Sequence, residues 1–126
     1  METRFILLVD DQTASTTFYS AVLDLTPRLN VPGMTEFDLP GGGILGLMPV
    51  AGIRRLLGDP LPDPSGAHGV PRAELYLTHP DADLCHKRSL EAGAVELSPM
   101  VARDWGDFAA YSLDPDGHVL AFARRD

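Results

Sequence analysis

Ala73-Glu74-Leu75-Tyr76-Leu77-Thr78, followed by His79-Pro80-Asp81, is the stretch that decides the fold. Its apolar and aromatic residues read as a strand, and Pro80-Asp81 then opens a helix that stops at Gly93. The same order has already occurred near the start of the chain. Arg4 to Val9 is a run of mainly branched and aromatic residues that reads as a buried strand, and Asp11 is placed to cap a helix through its side-chain oxygen. Along that helix Ala14, Phe18, Val22 and Leu25 recur at helical spacing until Pro27 breaks the pattern.

Outward from these two strand–helix pairs the reading is again duplicated. In the first half, Arg28–Val31, Met34–Leu39 and Ile44–Met48 are strand candidates. The run Pro40-Gly41-Gly42-Gly43 reads as a hairpin turn rather than a phosphate loop, because neither a helix start nor Lys-Ser/Thr follows it. In the second half the candidates are Val95–Leu97, Phe108–Leu113 and Val119–Ala123. Asp114-Pro115-Asp116-Gly117 separates the last two, with Asp and Pro where a type I turn wants them and Gly ready for a positive φ. The pattern predicts an α+β fold of two tandem βαβββ modules, residues 1–49 and 72–126, joined by a Pro/Gly-rich linker, 50–71, with one short helical candidate at Ile53–Leu57. Two modules that each leave one face of a four-stranded sheet uncovered are expected to set those curved sheets around a shared cleft.

Composition narrows the function. The 126 residues suffice for one structural domain, and 44% hydrophobic with 22% charged residues is a globular rather than a disordered balance. Ten Lys+Arg against eighteen Asp+Glu give a net charge of −8, which argues against nucleic acid as a partner and suits either approach by cationic small molecules or solubility alone. A lone cysteine, Cys85, excludes an intramolecular disulfide and a Cys-rich zinc cluster, and on its helix it reads as a small buried residue. A reducing cytoplasm is the expected compartment, and with no apolar run near the roughly twenty residues a span needs, no membrane partner is expected.

The sequence resembles the vicinal oxygen chelate superfamily, which holds glyoxalase I, extradiol dioxygenases and bleomycin-resistance proteins. The residues that carry the likeness are Val9-Asp10-Asp11, Phe18-Tyr19 and Val22-Leu23-Asp24-Leu25 in the first half. In the second they are Glu74-Leu75-Tyr76-Leu77, Glu91-Ala92-Gly93-Ala94, Arg103-Asp104-Trp105-Gly106-Asp107 and Asp114-Pro115-Asp116-Gly117-His118-Val119-Leu120. Metal-using relatives place a ligand on the first strand of each half and a carboxylate on the last. Carried over, these four positions fall on Arg4, Gly46, Glu74 and Ala121, of which only Glu74 suits a metal. Strand parity sends His79 and His118 away from the cleft, His86 reads as a helix-face or surface residue, and His68 lies in the linker.

The resemblance therefore implies a ligand site without a metal. Arg4 and Glu74 occupy matching positions, and an Arg4–Glu74 ion pair is expected to stand where relatives hold the ion. Gly46 and Ala121 leave space; Tyr76 shares the face of Glu74, as a hydrogen-bond donor, a stacking surface or a space-filling sheet aromatic; Met48 lies on the apolar wall; Trp105 either packs at the cleft or dimer edge or stacks on a planar ligand. Arg103 and Asp104 read as a local ion pair, and the facing of Phe37 and Tyr111 stays open. The expected function is metal-independent, cofactor-free binding of a small organic ligand in a homodimer, in the form of sequestering an antibiotic or an aromatic metabolite. No catalytic residue is assigned. The alternative is a glyoxalase- or dioxygenase-like enzyme in which a divalent metal at Glu74 polarises vicinal oxygens of a substrate.

Overall fold

The computed structural model describes residues 1–125. Its elements run β1 (Arg4–Val9), α1 (Gln12–Leu23), β2 (Leu29–Val31), β3 (Met34–Asp38), β4 (Ile44–Pro49), α2 (Val50–Leu57), a 3-10 turn (Pro64–Ala67), β5 (Glu74–Thr78), α3 (Ala82–Glu91), β6 (Val95–Ala102), β7 (Asp107–Leu113) and β8 (Val119–Arg125). The strands form two sheets of the same plan, β1-β4-β3-β2 and β5-β8-β7-β6. In each, the first strand pairs parallel with the last and the remaining strands form an antiparallel meander. This is the two-module α+β architecture that the repeated pattern predicts. Contacts divide the chain into two compact units, 1–20 with 24–66, and 67–126 with the short segment 21–23.

In the first module, alternation along the strands sorts the side chains between two faces. Leu7, Val9, Phe37, Leu45 and Leu47 are buried on one of them, so the facing of Phe37 is fixed in the core. The helix α1 covers this face. Asp11 caps it by accepting from the Ala14 N–H, Phe18 and Tyr19 are buried, and the Thr16 and Thr35 hydroxyls meet at 2.8 Å. Each such side chain, fully buried, contributes about 1.5–3 kcal/mol. The expected apolar stripe is partly displaced: Ala14 is exposed, while Ser15 and Thr16 are buried beside Phe18. The helix also ends before Leu25, because Asp24 takes a left-handed conformation at φ 54° and closes it.

The second module repeats this with α3 packed on β8, β7 and β6. Leu120 and Phe122 are buried on the helix face, as are Cys85 and Ser89 of α3. Polar ties fasten the helix: Arg124 donates to Asp83 at 2.7 Å while its guanidinium lies over the Phe108 ring, and His86 Nε2 lies 2.8 Å from Glu96. His86 is thus buried against the sheet rather than a surface residue. The edge strand β6 continues to Ala102, well past the expected end at Leu97. Pro99 and register shifts on either side of Ser98 interrupt its alternation, so periodicity alone stops too early. In the segment 50–71, α2 begins at Val50 rather than Ile53 and packs against β4 and β1.

Candidate functional site

Each sheet has a second face, turned away from its helix, and the two are built differently. In the first module β1 brings Arg4, Ile6 and Leu8 to it, β4 brings Gly46 and Met48, and β3 brings Met34, Glu36 and Asp38. Gly46 pairs with Ile6 on one side and with Glu36 on the other. The Glu36 carboxylate is nearly buried and bridges two guanidinium groups, accepting from Arg4 Nε and from Arg28 Nη1, each at 2.8 Å. Arg4 also bonds Glu2, and Arg28 reaches Asp38 at 3.2 Å. The bond from Arg4, and then that from Arg28, holds the Glu36 carboxyl below its ordinary range against the cost of burial. The same pairing raises Arg4.

Sequence reading assigned Arg4 to the site but missed the acidic partners it has within its own module. The space expected at Gly46 is also taken: a Cβ there would lie 3.0 Å from Ile6 Cγ1 and 3.4 Å from Met34 Sδ. Met48, expected on the apolar wall, is half-buried, with its terminal methyl 3.7 Å from the Cβ position of Gly52 in α2.

In the second module the corresponding face carries Glu74, Tyr76 and Thr78 from β5, Val119, Ala121 and Ala123 from β8, and Asp107, Ala109 and Tyr111 from β7. Ala121 is flanked by Tyr76 on one strand and Tyr111 on the other, which fixes the facing of Tyr111. A chain of hydrogen bonds crosses this face. The Trp105 indole Nε1 donates to the Tyr76 hydroxyl at 3.0 Å, and that hydroxyl donates to Asp107 Oδ2 at 2.7 Å. Burial, and next the bond to Asp107, push the Tyr76 phenol above its ordinary pKa of 10.0, so it keeps its proton. Tyr111 is raised as well, by burial first and then by Glu74.

Arg103 borders this cluster at the β6 edge. Its Nε and Nη2 donate to the Ala109 carbonyl, and Nη2 also donates to Ser98 Oγ at 2.7 Å and to the Pro99 carbonyl. The guanidinium carbon lies 5.1 Å from the Tyr111 ring centroid. The bulged edge of β6 thus frees carbonyls that Arg103 satisfies, while its charge rests against an aromatic face. The reading of Arg103 with Asp104 as a local pair is replaced by these contacts. Trp105 remains more than half exposed, with its ring direction set by the bond to Tyr76.

The histidines lie elsewhere. His79 Nδ1 accepts the Asp81 N–H at the start of α3. His118 Nδ1 lies 2.9 Å from Asp114 Oδ2, while Asp114 Oδ1 accepts the N–H groups of Asp116 and His118. Asp114, Asp116 and His118 bring three donor atoms together, but the Asp114 oxygens are engaged in shaping the turn. The family's four metal positions carry a guanidinium, a glycine closed in by Ile6 and Met34, one carboxylate, and a buried alanine between two tyrosines. Those residues do not fit a divalent ion, which takes three or four protein ligands.

Two tandem βαβββ modules with a cluster of aromatic and acidic side chains on one sheet define an α+β protein of the glyoxalase-like class. The sequence pattern of the Glyoxalase/Bleomycin resistance protein/Dioxygenase superfamily matches residues 3–122, and the chain belongs to that superfamily. An uncharacterized protein of Mycobacterium bovis is 29% identical over 121 residues, 89% of this chain and 75% of its own length. Among solved structures, a glyoxalase/bleomycin resistance protein/dioxygenase family enzyme from Burkholderia phytofirmans superposes with a TM-score of 0.82 at 16% identity, covering 98% of each chain. A glyoxalase-related enzyme from Fulvimarina pelagi gives 0.79 at 22% identity, covering 99% of this chain and 88% of that one. At these identities the likeness is one of fold, and the fold hosts many chemistries.

Proposed function

We propose that the protein is a metal-independent small-molecule-binding protein of the glyoxalase/bleomycin-resistance type, which holds a planar organic ligand on the face of its second module turned away from α3. The observation that carries this reading is the Trp105–Tyr76–Asp107 chain beside Tyr111 and Ala121. It fixes the direction of an exposed indole and a phenol before any ligand arrives, so little ordering cost remains to be met on binding. Ala121 between the two tyrosines is fully buried, so a flat molecule would lie across the aromatic side chains rather than against it. Binding is itself the action, with an antibiotic or an aromatic metabolite held out of solution. The reading includes a homodimer in the cytoplasm, with no resident cofactor.

Two measurements test it. Elemental analysis of the purified protein is expected to find no stoichiometric Zn, Ni, Mn or Fe after dialysis; a retained ion at one per chain rejects metal independence in favour of the metal-dependent lyase or dioxygenase. A thermal-shift screen over cationic antibiotics and aromatic metabolites is expected to find at least one stabilising compound, by about 2.7 kcal/mol at a hundredfold excess over Kd. A flat response across a broad panel rejects ligand binding.

A further inference from the structure

The hydrogen atoms of the Trp105–Tyr76–Asp107 chain are already committed, and their direction selects the ligand. Tyr76 gives its proton to Asp107 and accepts one from Trp105, so the lone pair left on its oxygen can only accept. The single N–H of Trp105 is used in that bond. The donors on Arg103 Nε and Nη2 are turned to Ala109, Pro99 and Ser98. Glu74, exposed on the same face and close enough to act on Tyr111, is an acceptor, and so is the Asp107 carboxylate. Arg125 approaches Asp107 only at 3.9 Å and is almost fully exposed at the end of β8. The Tyr111 hydroxyl is a rotor that turns to suit either polarity.

We infer that the second-module face is an acceptor-polarised site that selects planar ligands bearing N–H donors, such as an amidinium or an amino-heterocycle, and disfavours ligands that present paired oxygen acceptors. The inference rests on the binding site proposed above and names its ligand class. A vicinal dioxygen ligand would bring oxygens against the Tyr76 oxygen and the Glu74 carboxylate, leaving acceptors facing acceptors, which is costly once water is excluded. A flat N–H donor meets the same groups with its hydrogens and covers Trp105 with its ring. The Asp107 carboxylate sets the polarity without touching the ligand, by holding the Tyr76 proton; it is a positioning residue.

Benzamidinium and benzoate are near-isosteric probes of opposite polarity, and Trp105, the only tryptophan, reports their binding by its fluorescence. Benzamidinium is expected to give a saturable change with Kd on the order of millimolar, and benzoate to bind at least about tenfold more weakly. In Asp107→Ala, which leaves no acceptor there, the Tyr76 proton is released toward the ligand, and the ratio of the two dissociation constants is expected to fall toward unity; a purely structural role would weaken both probes alike. Should that variant fail to fold, Tyr76→Phe removes the acceptor and is expected to weaken benzamidinium more than benzoate. Benzoate binding as tightly as benzamidinium to the unaltered protein, or a ratio unchanged in these variants, overturns the inference and leaves the binding reading standing. No saturable response to either probe, with a flat thermal-shift panel, overturns both.

Discussion

The two modules share strand order, the register of their parallel pairs and helix placement, yet the faces turned away from their helices have opposite character. On the first, polar groups satisfy one another: Glu36 with Glu2 and Asp38 neutralises Arg4 and Arg28, and Ile6 with Met34 closes the ground beside Gly46. On the second, the polar groups form an open-ended chain from Trp105 through Tyr76 to Asp107, next to an exposed Glu74. A duplicated scaffold therefore gives two copies of a frame that carry different polar chemistry. Under the proposed function the first face serves stability and the second recognition.

That division of labour is open to attack by substitution, and the largest effect is expected in the first module. Glu36→Gln leaves two guanidinium groups without their shared carboxylate and is expected to cost about 2 kcal/mol, read as a fall of several degrees in Tm. The Trp105 fluorescence response to benzamidinium should survive it. Loss of that response in a folded Glu36→Gln protein would show that the first face takes part in binding.

A smaller stability effect with a larger functional one is expected in the second module. Tyr76→Phe should cost about 1 kcal/mol, because Asp107 retains some access to water, while weakening benzamidinium by roughly tenfold. The Trp105 emission of the ligand-free variant should also shift, since the indole loses its acceptor. An unchanged affinity would remove Tyr76 from the site.

The smallest effect separates the modules by pH. Glu36 titrates below its ordinary 4.5, so its contribution is present above that value and lost as pH falls through the lowered one. His118 is raised above 6.5 by its bond to Asp114, so its contribution is present below 6.5 and lost as pH rises through the raised one. Unfolding midpoints measured across pH are expected to show both slopes. His118→Gln should flatten the upper slope, at a cost below about 1 kcal/mol, and leave the lower one in place.

Most of the fold is legible because its signals are local. Asp11 as a cap, the Pro40–Gly43 and Asp114–Gly117 turns and the alternation in β5 each specify an element from a few residues. The end of β6 was not legible, because Pro99 and the register shifts around Ser98 destroy the period on which a strand is recognised. For the site, counting outward from a turn recovers much that was left open. From the Asp114–Gly117 turn the ladder runs Leu113–Val119, Tyr111–Ala121, Ala109–Ala123, which places Tyr111 beside Ala121 without any coordinates. The same count from the Pro40–Gly43 turn sets Glu36 opposite Gly46. No sequence signal reveals that Arg103 folds back on β6 and β7, since the carbonyls it satisfies become available only through the bulges.

The turn at Asp114–Gly117 does one thing more. Gly117 has φ +89°, and a Cβ there would fall 2.7 Å from Gly69 Cα, while Gly69 N–H donates to the Asp116 carbonyl at 3.2 Å. The chain entering the second module is thereby moored two residues beyond the 3-10 turn. Length variation along the connecting segment should be tolerated unequally as a result: residues inserted at the exposed Asp59-Pro60 bend add slack, whereas one residue inserted beside Gly69 slips the mooring and forces a residue with a side chain into the positive φ that Gly69 adopts, +76°. A connection that reads as spacer from its Pro and Gly content is, at that single point, a fixed-length part.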